Sequence, residues 1–116
     1  MNRFVIVESG TAEAMLSEYS LRDDLDEVKR LYRHLREDTR LIANSLRPNN
    51  FEIINCAGTN VTAYSGNSLI TDEPIIAGIR DLTRPRLQFL VGIGNTLREA
   101  RSAMEALRRI PSREEP

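Results

Sequence analysis

From Leu25 to Leu46 the side chains Leu25, Val28, Leu31, Tyr32, Leu35, Thr39, Ile42 and Leu46 recur every three or four residues, with charge on the remaining sides. That spacing draws one apolar stripe along a long helix, and Asp23 or Asp24 offers its N-cap. A helix of this kind is stable only when the stripe is buried against another element. The rest of the chain must therefore supply a surface to receive it.

The flanking segments read as strands and shorter helices. Met1 to Val7 is a near-continuous apolar run, a buried strand that stops at the turn Glu8-Ser9-Gly10-Thr11. Ala12 to Tyr19 suits a short helix, which Ser20 to Asp24 breaks. After the loop Pro48-Asn49-Asn50, the runs Phe51 to Cys56 and Val61 to Ser65 flank Ala57-Gly58-Thr59-Asn60, a spacing that predicts a β-hairpin. Thr71-Asp72-Glu73-Pro74 opens a helix with Ile75, Ile76, Ile79 and Leu82 on its apolar side, and Pro85 marks its end. Leu87 to Gly94 is a further strand. Thr96 and Glu99 form a capping box for a last helix carrying Leu97, Ala100, Met104 and Leu107, which Pro111 stops.

The predicted order of strand, helix, hairpin, helix, strand, helix makes the fold class α+β, a ferredoxin-like βαββαβ sheet with covering helices. It is expected to occupy residues 1–110 as a single domain, with 111–116 a disordered tail. In this reading the first strand lies beside the hairpin's first strand at the sheet centre. Glu8 to Thr11 and Ala57 to Asn60 then face one another.

Composition narrows the function. With 116 residues, 41% of them hydrophobic, the chain suits one core. A net charge of -1 argues against a protein whose main work is neutralising nucleic-acid phosphates, DNA included, although local basic patches stay open. Cys56 is the sole cysteine and His34 the sole histidine, so the expectation is an intracellular, cytoplasmic protein with no structural metal. Cys56 is expected to be buried and inert, and His34 to lie on the surface. No apolar run approaches the ~20 residues of a spanning helix. The chain also lacks GxxxxGK[ST], HExxH and GxSxG patterns. Lys29 is the only lysine and sits among Glu27, Arg30 and Arg33.

Four segments together resemble the minimal CRISPR polymerase (mCpol) family, relatives of the palm domains of GGDEF cyclases. They are Phe4-Val5-Ile6-Val7-Glu8-Ser9-Gly10, Leu21-Arg22-Asp23-Asp24, Cys56-Ala57-Gly58-Thr59-Asn60 and Gly92-Ile93-Gly94-Asn95-Thr96-Leu97-Arg98-Glu99-Ala100. The last is the most specific match. The resemblance implies a domain that joins nucleoside triphosphates by 3′-hydroxyl attack on an α-phosphate and makes cyclic nucleotide signals in prokaryotic antiphage defence, beside a membrane effector.

In that family, carboxylates at the end of the first strand and in the hairpin turn hold two magnesium ions. Here the matching positions carry Glu8, Gly10 and Thr59, so one acid of three remains. Glycine offers only a backbone carbonyl, and threonine a neutral hydroxyl. The resemblance therefore implies a degenerate two-metal site with Glu8 as its remaining metal ligand. Nucleotide binding is expected at Ser9, Gly10, Thr11, Gly58, Thr59 and Asn60, where backbone N–H groups and hydroxyls can meet an anion without a cation. Two alternatives stand beside this reading. One is an active cyclic nucleotide synthase using magnesium on Glu8 with Glu13 or Asp24. The other is a non-catalytic partner, as a homodimer or a heterodimer with an active paralogue.

Overall fold

The structure, a computed structural model, describes residues 2–109. In chain order it has strand β1 (Arg3–Ser9), helices α1 (Ala12–Leu21) and α2 (Leu25–Leu46), strands β2 (Glu52–Ala57) and β3 (Asn60–Ser65), helix α3 (Asp72–Leu82), strand β4 (Phe89–Gly94) and helix α4 (Leu97–Arg108). Short 3-10 turns occupy Arg47–Asn49 and Pro85–Leu87. The expected stop at Pro111 and the tail lie outside the described residues.

The four strands form one antiparallel sheet in the order β2-β3-β1-β4, and the fold is α+β. The hairpin's second strand, not its first, lies beside β1. The reason is the burial each strand can supply. In β3, Val61, Ala63 and Ser65 alternate as buried residues, which suits a central position. In β2, Glu52 and Asn55 are exposed and Ile53 is only half-buried, so this strand forms the edge. Cys56 is accordingly exposed rather than buried, and its thiol reaches the Thr39 carbonyl at 3.5 Å. A bulge between Ile53 and Asn55 interrupts the pairing of β2 with β3.

Helices cover both faces of the sheet. On one face Val5, Val7, Val61, Ala63 and Val91 meet Ile42 and Leu46 of α2 and Ile75 and Ile79 of α3. Each such aliphatic side chain contributes about 1.5–3 kcal/mol through burial. On the other face Ile6 meets Ala100 and Met104 of α4. Helix α4 lies directly on the glycines of β4: a Cβ at Gly92 would sit 2.1 Å from the Ala100 carbonyl oxygen, and one at Gly94 would sit 2.6 Å from the Ala100 nitrogen.

Asp24 caps α2, accepting the Glu27 amide at 3.3 Å. Asp23, before it, takes the left-handed φ of 53°. The expected stripe is buried at Leu31, Leu35, Thr39, Ile42 and Leu46, but Leu25 is 61% and Tyr32 43% exposed. Length explains the difference. Twenty-two helical residues run ~33 Å, whereas a six-residue strand runs ~20 Å, so the first half of α2 overhangs the sheet. There Leu31 and Leu35 pack with Ala12, Met15, Leu16 and Tyr19 of α1 instead. Tyr32 is left at the rim.

Candidate functional site

The overhang creates a cleft. Its volume is about 600 Å³, and it opens where β1 ends, between α1, the first half of α2 and the hairpin turn. Leu16, Leu31, Tyr32 and Leu35 form an apolar wall, while Glu8, Gly10, Glu13, Ser17, Thr59 and Arg108 supply polar groups.

The two segments expected to face each other do so. Glu8 is the cross-strand partner of Asn60, and the Ser9 amide donates to the Thr59 carbonyl at 3.1 Å. Of the expected site residues, Glu8, Ser9, Gly10 and Thr59 line this cleft. Gly58, which takes the positive φ of 60° at the first turn position, faces a separate groove on the other side of the hairpin tip. Asn60 is turned to Asn55, whose side-chain amide donates to it at 2.6 Å. Thr11 sits outside the lining.

The donors of the 9–11 segment, expected to meet an anion, make hydrogen bonds within the fold. Ser9 is buried; its hydroxyl donates to the Leu87 carbonyl at 2.6 Å and accepts the Ala12 amide at 3.1 Å. The Gly10 amide donates to the Gln88 carbonyl at 2.8 Å. The Thr11 hydroxyl donates to the Arg86 carbonyl at 2.6 Å, and its amide leans on Ser9 Oγ at 3.4 Å. Three successive carbonyls, of Arg86, Leu87 and Gln88, therefore act as a template for the loop. Gln88 adopts a left-handed φ of 45° on leaving the 3-10 turn.

Glu8 is not a free ligand either. It projects to the α4 side, where Arg108 Nη2 lies 3.5 Å and Arg101 Nη1 4.0 Å from its carboxylate oxygens. Glu105 joins the cluster at 3.8 Å from Arg108 and 3.9 Å from Arg101. Sequence reasoning missed these arginines, although the signal was present. Positions 101, 105 and 108 share one helix face, adjacent to the Ala100 and Met104 positions that dock on the sheet.

Two carboxylates, those of Glu8 and Glu13, line the cleft. Two-cation chemistry needs several carboxylates converging on one point. Here Gly10 and Thr59 bring none, and Glu8 is held by guanidinium groups. Asp24 is occupied as a helix cap. Among the described residues no three His, Cys, Asp or Glu side chains are grouped to hold a metal ion. What the cleft does offer is an apolar wall together with a cation, Arg108, and a hydroxyl, Thr59.

His34 is half-buried on α2 rather than fully on the surface, and its Nδ1 is buried without a hydrogen-bond partner. Burial first, then the guanidinium groups of Arg84 and Arg86, hold its imidazole below its usual pKa. Glu37 opposes them.

Neither a scan of the chain against protein-family models nor a search of curated proteins returned a match.

Proposed function

We propose that the chain is a diverged mCpol-like palm domain that binds a nucleoside triphosphate or cyclic nucleotide, with its two-metal chemistry lost, and that it serves a prokaryotic antiphage signalling system. The observation that carries this reading is the cleft at the end of β1. Its size falls in the range of small-molecule sites. It combines an apolar wall and an exposed tyrosine with Arg108 and Thr59, so a base on the wall would have its phosphates met by the guanidinium. The strand order β2-β3-β1-β4, with α2 and α3 on one face, supports the ferredoxin-like, palm-type reading of the fold.

In this role Tyr32 and Leu35 receive the base, and Arg108 meets a phosphate by exchanging it for Glu8. The amides of Glu13 and Ala14, in the first turn of α1, donate to nothing among the described residues and point the same helix end at the cleft. No helix of the described chain is long and apolar enough to cross a membrane. In this reading the protein acts in the cytoplasm, coupled to a membrane effector through its nucleotide.

Isothermal titration with ATP, GTP and a cyclic dinucleotide tests the reading. Binding weakened about tenfold by Arg108→Ala or Tyr32→Ala is expected, a loss of ~1.4 kcal/mol. Absence of binding to all three nucleotides overturns it, and robust cyclic nucleotide synthesis overturns the loss of chemistry. One observation favours a second reading, an active synthase with magnesium on Glu8 and Glu13: both residues line the same cleft. That reading requires metal-dependent product that disappears in Glu8→Ala.

A further inference from the structure

The groove on the far side of the hairpin tip is a different kind of surface. It holds about 590 Å³, and α2 lines it with Arg36, Arg40 and Asn44, its C-cap adding Arg47, opposite Cys56 and Gly58. No carboxylate lines it. Among the described residues Arg36 and Arg40 have no ion pair, a state shared with Arg33, Arg80, Arg86 and Arg98, but here such arginines are gathered in one groove. Arg47 reaches only the Asn44 side-chain oxygen, at 2.6 Å. Three guanidinium groups are thus gathered without compensating charge in a protein whose net charge is -1.

Their spacing along the helix bears on the length of ligand that would follow all three. At 1.5 Å per helical residue, Arg36 and Arg40 are ~6 Å apart along the axis and Arg40 and Arg47 ~10 Å, a row of about 16 Å. A stacked phosphodiester strand carries one charge every ~3.4 Å, so about five nucleotides follow the row, and fewer if the strand is stretched. A free triphosphate is shorter than this row. At Gly58 nothing lies within 4 Å of where a Cβ would stand, so the turn leaves the end of the groove open to a ligand backbone.

We propose that this groove binds the phosphodiester backbone of a short single-stranded oligonucleotide, with Arg36, Arg40 and Arg47 each taking one phosphate. Guanidinium forks suit phosphate oxygens, and no aromatic side chain lines the groove to select bases. Recognition is therefore indifferent to sequence and sensitive to salt. The site is independent of the cleft, since Thr59 faces one and Gly58 the other.

Fluorescence anisotropy of the full chain with labelled uridine and thymidine octamers, across a salt series, tests the proposal. For three phosphates on a single strand, the logarithm of affinity is expected to fall with that of salt at a slope of about -2. The Arg36→Gln, Arg40→Gln double variant reduces the slope to about -0.7 and weakens binding at least tenfold at low salt. Arg98→Gln, an exposed arginine on α4, changes affinity less than twofold. Circular dichroism melts establish that the variants are folded. Three results overturn the proposal: no octamer binding at low salt, equal weakening by Arg98→Gln, or displacement of the octamer by inorganic tripolyphosphate at equal phosphate concentration.

Discussion

Asp38 and Arg84, 46 residues apart, are joined twice: the buried carboxylate of Asp38 accepts the Arg84 backbone amide at 2.9 Å and its Nη1 at 2.6 Å. The same guanidinium donates to the Glu37 carboxylate at 2.6 Å and to the His34 carbonyl at 3.3 Å. This clasp ties α2 to the start of the 84–88 segment, whose carbonyls in turn hold the loop at Ser9 to Thr11. Asp38 is therefore a scaffold of the cleft, although it does not line it.

Asp38→Ala is expected to lower stability by about 2 kcal/mol in urea unfolding, less than the ~3–5 kcal/mol for breaking a fully buried pair because the partly exposed Arg84 rehydrates. Asp38→Asn keeps an acceptor for the backbone amide and loses about half as much. Both variants weaken nucleotide binding in the cleft more than a surface variant of equal stability does.

Ser9→Ala removes the hydroxyl that both donates to Leu87 and accepts from Ala12. It leaves the Leu87 carbonyl and the first amide of α1 unpaired in a buried place, at a cost of about 2 kcal/mol. Thermal unfolding checks this. Increased hydrogen exchange at Ala12 would trace the loss to the cap.

Gly92→Ala drives a methyl into the backbone of α4. Overpacking of this severity costs about 3 kcal/mol. The displaced helix carries Arg101 and Arg108 away from Glu8, so nucleotide affinity falls together with the melting temperature.

Gly10→Asp with Thr59→Asp places acids at the two positions where the proposed mCpol-like reading calls for them. The Gly10 Cβ would lie 3.1 Å from the Gln88 carbonyl oxygen and 3.4 Å from Leu90, so a local shift costing about 1 kcal/mol is expected. If only the acids are missing, metal-dependent turnover of ATP or GTP rises above that of the parent chain. Thr59→Asp alone gives a smaller gain, read by product chromatography.

Acid weakens the fold through His34. Its imidazole titrates lower in the folded chain than in the unfolded one, so below about 6.5 the unfolded chain takes up a proton that the folded one resists. Stability is full above that pH and falls as pH drops toward the folded value. Glu37, held below the usual carboxylate range by its hydrogen bond from Arg84, adds a second loss at still lower pH, as its carboxylate protonates. Melting temperatures between pH 7.5 and 5.5 follow this slope, and His34→Gln flattens it.

The elements that declared themselves in the sequence did so through local chemistry. Asp24 and Thr96 cap helices in the chain's own immediate surroundings, and Ile42 and Leu46 continue a stripe whose period is set by the helix itself. Relationships spanning the chain were hidden. A carboxylate at position 38 reads as solvent-facing until Arg84 is folded against it, and the burial of Cys56 could not be judged without knowing that β2 forms the edge. For the same reason Glu8 and Thr59 could be paired from hairpin logic, while Arg108, which arrives from the far end of the chain, could not.

The kink at Ile53 to Asn55 has a last consequence for how copies of this protein behave when crowded. A bare outer strand would ordinarily serve as a seed on which identical chains stack into fibrils. The kink breaks the even comb of amides and carbonyls that stacking requires, and the guanidinium row alongside pushes like-charged copies away.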